Sequence, residues 1–440
     1  MKKLLLNLKE KAWVVVMAIC LVLAGCVDAF DPQVKATVDV LVVDGMITNL
    51  PEPQIIRLNR SRADPVTGRF GTAPITDATV EVVVDSAQVV AAHETVAGSY
   101  RLPSDFRGQV GRAYQLRIRL TDGTTYLSSQ QIMPSVSPIE RVQVEFNPRV
   151  PRPNHSIHTM GAHEFYLDMQ DPESQHNYYK WDWTLYERKE WCKSCANGVY
   201  AVYNILPNYY FHKMFVSGNE LFEDCFIPSP VPSGSGDVPS VPSRYWVYDY
   251  RCRTRCWQII HNYNLNLFND ALSNGGHIQL RKVGVVPYYQ RLPGLVVIRQ
   301  SGITPEAHAF FTLVETQTQN SGGLADTPPT APIGNIRNAA NPKEIVVGFF
   351  SASSVTELRY WLDRKDATGL PIGAYDENGE ILNWDEELFY ALIGRRPTPE
   401  PTPPDPPAIN IYGGPPRVPT AICEYSNTST PFKPEGWRDE

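Results

Sequence analysis

The sequence predicts a mainly β protein: a β-sandwich followed by a larger β-rich domain with one or two short helices. Three features carry that expectation. Thr79–Val84 is rich in β-branched residues. Tyr114–Leu120 alternates apolar and polar side chains at period two, the pattern of a strand with one wet face. Asp122-Gly123 then supplies a hairpin turn into Thr125–Leu127.

The chain opens on a segment that belongs to export rather than to the fold. Lys2, Lys3, Lys9 and Lys11 form a basic region, and Ala12–Leu23 an apolar run of twelve residues. Leu23-Ala24-Gly25-Cys26 closes it. This is the layout of a lipoprotein signal peptide, residues 1–25, cut before Cys26, with lipid attached to that thiol. Twelve residues fall short of the ~20 needed for a membrane span. The expected mature protein is tethered to a membrane through Cys26, outside the cytoplasm. Cleavage removes four lysines and one glutamate, taking the formal charge from −7 to −10. An acidic chain without basic clusters excludes nucleic acid as a partner.

Residues 26–36 read as a lipidated tether and 37–135 as the sandwich. Its strands are Val38–Gly45, Ile55–Arg60, Thr79–Val84, Tyr114–Leu120 and Thr125–Leu127. Met133–Pro138 marks a boundary. The second domain, residues 139–395, offers strands at Ile139–Phe146, Glu164–Met169, Tyr178–Tyr186, His277–Val286, Leu295–Gln300 and Glu344–Phe350. Trp257–Leu272 has apolar residues near helical spacing and is expected to be a helix. Thr304-Pro305-Glu306 carries a cap, a first-turn proline and an acid suited to the helix dipole. The helix it opens runs to near Asn320, with Ala309, Phe310, Leu313 and Val314 on one face. Pro228–Pro242 reads as an exposed loop. Residues 396–440 form a Pro-rich tail with seven prolines between Pro397 and Pro407. Cys423 and Trp437 suggest that this tail packs back on the body.

Six cysteines remain after Cys20 and Cys26: Cys192, Cys195, Cys225, Cys252, Cys256 and Cys423. Five lie in a Cys-rich insertion, residues 192–256. An even number in an oxidising compartment reads as disulfides, with connectivity open. The rival reading gives zinc four thiolates from Cys192, Cys195, Cys252 and Cys256. A redox Cys192-x-x-Cys195 pair lacks the βαβ surroundings such a motif needs.

Little else suggests chemistry. His163-Glu164 starts like a zinc-protease helix but lacks the second histidine. His155, His158, His163 and Glu164 could bind a metal, or lie in a solvated loop. Asp376–Glu380 has its glycine two positions too early for a calcium loop and reads as a turn. No cofactor is expected, and no enzyme. Tyr179, Trp181 and Trp183 occupy alternate positions, hence one strand face. That face either packs a core or meets a protein partner or a glycan.

Two resemblances add to this. Pro74–Val82, Gly98-Ser99-Tyr100 and Gly111–Leu116 resemble the transthyretin-like, carboxypeptidase-regulatory sandwich, with Gly98 and Gly111 at positive φ in turns. A wider set of blocks runs in order along the chain: the Cys26 signal, Val42–Thr48, the sandwich pattern, Tyr178–Trp181, Gly302–Ala307, Thr327–Asn338, Asn341-Pro342, Val347–Ser351 and Leu358-Arg359. Together they resemble an uncharacterised family of outer-membrane lipoproteins of the Bacteroidota type. Its members are usually encoded beside TonB-dependent receptors. Cys423–Ser426 departs from it, because members often carry a second cysteine three positions on. The resemblance implies an outer-membrane, lipid-anchored protein on the periplasmic or cell-surface face. It would act as a binding or accessory subunit of a TonB-dependent transporter. The alternatives are an adhesin or structural envelope protein without a transporter, and an enzyme acting on glycans or peptides. In the Pro-Pro…Gly334-Asn335-Ile336 block, Asn335 is expected to bond the backbone two residues on and to fix a loop against the following sheet.

Overall fold

The computed structural model describes residues 40–63, 70–151, 159–173, 175–193, 198–201, 214–217, 250–289, 292–319, 332–369 and 420–439. Contacts divide the chain into a small unit, Met1–Asp39 with Ser61–Thr72, and a large one, Val40–Arg60 with Ala73–Glu440. Among the described residues no helix is long and apolar enough to cross a membrane.

The fold is mainly β. The first nine strands are β1 Val40–Thr48, β2 Ile55–Ala63, β3 Phe70–Pro74, β4 Thr79–Val84, β5 Gln88–Val96, β6 Ser99–Arg101, β7 Ala113–Arg119, β8 Thr125–Ser128 and β9 Gln131–Ile132. Burial alternates along β4 and β7, as the period-two pattern requires. Strand β4 lies between β5 and β7, and β7 pairs in turn with β8. Gly123 takes a positive φ at the β7–β8 turn, and Thr124 N–H donates to Asp122 Oδ1 at 2.8 Å. Gly98 and Gly111 also adopt positive φ. Strand β5 pairs with β4 on one side and β6 on the other, joining two sheets into one continuous ladder. The first core lies between them: Leu41, Val43, Ile56 and Leu58 meet Val80, Val82, Leu116 and Ile118.

The remaining strands are β10 Arg141–Pro151, β11 Thr159–Gln170, β12 Tyr178–Lys193, β13 Gly198–Ala201, β14 Met214–Ser217, β15 Tyr250–His261, β16 Asn266–Asn269, β17 His277–Pro287, β18 Gly294–Gly302, β19 Ile336–Asn338, β20 Val346–Leu362, β21 Thr420–Ala421 and β22 Ser429–Thr430. Helix α1 spans Pro305–Gln319. Strands β10, β11 and β17 make a three-stranded antiparallel sheet. A second core forms where its Phe165, Leu167 and Val286 meet Trp181, Leu185 and Ile298 of β12 and β18.

Strand β20 serves both cores. Its first half runs parallel to β1, from Leu41↔Val346 to Thr48↔Ser353. Its second half pairs antiparallel with β18, from Gly302↔Ser354 to Gly294↔Leu362. The first core is therefore not closed by residues 37–135 alone: Ile336, Val346, Phe350 and Ala352 return to it from far along the chain. A parallel partner for β1 has to arrive by a long connection, since no hairpin can supply one.

The Gly-Asn-Ile block explains how that return is held. Gly348 adopts φ +103°, and a Cβ there would lie 1.9 Å from the Val43 carbonyl oxygen. A Cβ on Gly334 would lie 1.6 Å from the Gly348 carbonyl oxygen. Three backbones thus meet where only hydrogen fits. Asn335 does fix its loop to the following sheet, through more distant partners than expected. Its Nδ2 donates to Phe350 O at 2.8 Å, and its Oδ1 accepts from Phe350 N–H at 3.0 Å. The bond to a residue two on belongs instead to Asn338, whose Oδ1 accepts from Ala340 N–H.

Two helix expectations are corrected. Trp257–Leu272 is not a helix but the end of β15, all of β16 and two turns. Strand β15 pairs with β12 along Thr184↔His261 to Lys193↔Tyr250. Asn264 N–H donates to Asn262 Oδ1 at 3.0 Å, a local bond that competes with helix continuation. In α1 the cap is as expected: Ala307 N–H donates to Thr304 Oγ1 at 3.2 Å. The packed face differs, however. Ala307, Phe310 and Phe311 gather on Phe349, while Ala309 and Leu313 face solvent.

Candidate ligand-binding site

The C-terminal tail is stitched onto the second sandwich. Disulfides join Cys192 to Cys252 and Cys256 to Cys423. The first staples β12 to β15, and the second binds the tail to β15. Strand β21 then pairs parallel with β15, and β22 antiparallel. His261 Nε2 bonds Asn427 O at 2.8 Å, and Arg359 Nη2 donates to Glu435 Oε2 at 3.0 Å. Gly436 takes φ +89° to turn the chain, with Arg359 Cδ only 3.1 Å from where a Cβ would sit.

That turn delivers Trp437 between two other indoles. Its ring centre is 5.1 Å from Trp361 at 87° and 5.9 Å from Trp257 at 77°. Arginines cover the outer faces. Arg438 stands 5.9 Å over Trp361, and Arg188 stands 5.5 Å over Trp257, both within cation–π range. Arg255 Nη1 donates to Asp439 Oδ1 at 3.0 Å, and Lys433 Nζ to Asp439 Oδ2 at 2.6 Å. The Lys433 bond, foremost, holds the Asp439 carboxyl below its ordinary value, so it is ionised at neutral pH.

Beside this cluster lies a recess of about 230 Å³, with Trp361 and Trp437 as its aromatic walls and Arg188, Arg255, Arg438 and Asp439 as its charged lining. Leu292 and Pro293 complete the lining. Indole faces, guanidinium forks and one carboxylate form a recognition surface. Groups of these kinds can hold a ligand by stacking and charge-assisted hydrogen bonds.

The residues singled out from sequence fall elsewhere. Tyr179, Trp181 and Trp183 do share a face, but it is the core face, at 1%, 0% and 5% exposure. They have no surface for a partner or glycan. Their period-two pattern is that of packing: Tyr179 stacks on Trp181 at 5.8 Å, and Trp181 Nε1 donates to Gln300 Oε1 at 2.8 Å. The zinc alternative does not fit the cysteines described. The sulfurs of Cys192, Cys252 and Cys256 lie within 4.8 Å of one another, but each is in a disulfide and carries no thiolate charge. His163 and Glu164 do not converge on a metal, because neighbouring residues of β11 point to opposite faces. His163 Nε2 bonds Asp366 Oδ1 at 3.0 Å, and Glu164 bonds Tyr166 and Lys282. Cys26, His155, His158, Cys195, Cys225, Asp376–Glu380 and the prolines of 228–242 and 397–407 lie outside the described residues.

Sequence reasoning placed Trp437 on the body but missed its setting. Arg255 and Trp257 lie two apart, on one face of a strand, and the helix reading hid that spacing. The run Trp437-Arg438-Asp439 was itself a usable signal, since it places an indole, a cation and an anion side by side.

The architecture defines a mainly β protein with two hydrophobic cores and a disulfide-stapled tail. The chain belongs to the family described as a domain of unknown function, DUF4249, which matches residues 27–359. No curated protein and no solved structure matches it. Trp361, Trp437, Arg438 and Asp439 lie beyond the matched span.

Proposed function

We propose that the protein is a lipid-anchored outer-membrane subunit that works by binding, as an accessory to a TonB-dependent transporter or a related surface assembly. The observation that carries the binding part is the recess beside Trp361 and Trp437. Its walls are held by a disulfide and two strand pairings before any ligand arrives, and such pre-organisation lowers the cost of binding. Leu23-Ala24-Gly25-Cys26 supports the anchor. Confinement to a membrane would raise the effective concentration of the protein beside a barrel, and two or more acyl chains would make release slow.

The test is affinity purification from gently solubilised outer membranes, with partners identified by mass spectrometry. A TonB-dependent barrel is expected in near-equal amounts. Recovery of the lipoprotein alone, in detergent that preserves a control complex, would count against the accessory role and favour an adhesin or an envelope enzyme. Cys26→Ser is expected to release the protein from the membrane fraction.

A further inference from the structure

We infer that the tail-built recess takes a sugar acid: a single pyranose ring bearing a carboxylate, of the hexuronate kind. This rests on the binding role proposed above and adds the chemical class of the ligand.

Size comes first. At about 230 Å³ the recess falls below the roughly 300–1,000 Å³ of sites for drug-sized ligands, so it suits one ring rather than an oligosaccharide. Charge comes next. The whole chain carries −7, yet three arginines against one aspartate give this lining a formal +2. Local reversal of sign on an acidic protein favours an anionic ligand. Arginine also offers a planar fork matched to a carboxylate, and a guanidinium stacked on an indole keeps its in-plane N–H donors for that purpose.

The indoles and Asp439 then separate a sugar acid from other anions. Trp361 and Trp437 meet nearly at right angles, 5.1 Å between centres, so a ring on one is edged by the other. The C–H face of a pyranose suits such an apolar platform, and a phosphate ion has nothing to lay on it. Asp439 can only accept hydrogen bonds. Its two recorded bonds, from Arg255 and Lys433, use one site on each oxygen out of about four in all. The remaining sites call for hydroxyl donors. A sugar acid brings hydroxyls and a carboxylate on one ring, whereas an aromatic acid brings no hydroxyl to Asp439.

The experiment is calorimetric titration of the mature, disulfide-intact chain with galacturonate and glucuronate. Galactose and glucose serve as neutral probes, and benzoate and inorganic phosphate as anions without the sugar. One or both uronates are expected to bind at least about tenfold more tightly than their neutral counterparts, with no heat from benzoate or phosphate. Arg438→Gln is expected to bring uronate affinity down to the neutral level. Trp437→Ala is expected to weaken acidic and neutral sugars alike, by about tenfold. Thermal unfolding of each variant identifies a loosened tail, and Arg438→Gln, which keeps all three indoles, then decides. Equal binding of neutral and acidic sugars, or benzoate or phosphate binding as tightly as a uronate, overturns the inference. So does silence from both uronates. If the barrel still co-purifies in that last case, the accessory role stands and only the ligand class is lost. Uronate binding without a barrel partner supports the inference and removes the transporter.

Discussion

In the first core the buried polar groups are neutral and paired: Gln54 donates to Thr48, Asn335 bonds the Phe350 backbone, Tyr100 donates to Ile75 O and Tyr114 bonds the Gln109 backbone. Around the second core whole charges are buried. Arg364 donates to Glu187 at 2.5 Å with both side chains at 0% exposure. His163 is buried against Asp366 and tilted onto Phe146. Asp171 accepts from Tyr179 Oη and Gly275 N–H, and Asp270 accepts from Asn177 N–H. Apolar burial is non-directional and indifferent to pH. A buried ion pair depends on geometry and on both partners, since the loss of one strands the other in a low dielectric. The first core is thus held by burial, whereas the second also depends on paired charges, and through them on pH. The stapled tail and its recess are built on that second half.

The largest effect expected from this contrast is at Arg364. Arg364→Leu leaves Glu187 buried and unpaired and should cost about 3–5 kcal/mol by urea unfolding. Replacing both, Glu187→Leu with Arg364→Leu, should cost far less than the sum of the single changes. Additive losses would mean that the pair is not a unit and would break the comparison. In the first core, Leu116→Ala should cost about 3 kcal/mol through lost burial and a cavity, by the same amount at pH 7.5 and pH 5.5. A marked pH dependence of that cost would show that the two halves do not differ as described.

The smallest effect is the pH dependence itself. Burial, opposed by the Asp366 bond, holds the His163 imidazole below its ordinary 6.5, with Arg364 adding to the lowering and Asp363 opposing it. The unfolded chain therefore takes up a proton near 6.5 that the folded chain refuses until lower pH. Stability tied to neutral His163 is fully present above 6.5 and is lost as pH falls through the folded value. Between pH 7.5 and 5.5 the native protein should lose more stability than His163→Asn. Equal losses would assign the sensitivity to another group.

What was legible in the sequence was local. Thr79–Val84 is a strand with the expected bounds, because five β-branched residues out of six leave little alternative. The Asp122-Gly123 turn and the Thr304-Pro305 cap follow from chemistry within four residues. Strand β20 was half seen. The expected strand stopped at Phe350, whereas Ser351, Ser353 and Ser354 beyond it are buried where the strand passes from one sheet to the other. Tyr179, Trp181 and Trp183 were correctly placed on one face. Which face is buried depends on β11 and β17, and no pattern within β12 names its covering sheet. The recess was illegible for the same reason. Trp361 and Trp437 are 76 positions apart, and a cross-link from Cys423 to Cys256, which six cysteines with fifteen possible connectivities leave open, brings them together.

Strand β20 has a mechanical consequence. A pull on the chain ahead of Val40 draws β1 backwards along its own axis, while β20 runs on past the paired stretch into the second sandwich. Because the two strands are parallel, the eight-residue register from Leu41 to Thr48 is loaded in shear, so its hydrogen bonds share the force instead of peeling one at a time. A molecule moored at its front end would transmit tension through that seam into the half that carries the recess, with Gly348, opposite Val43 near the start of the register, as its tightest point of contact.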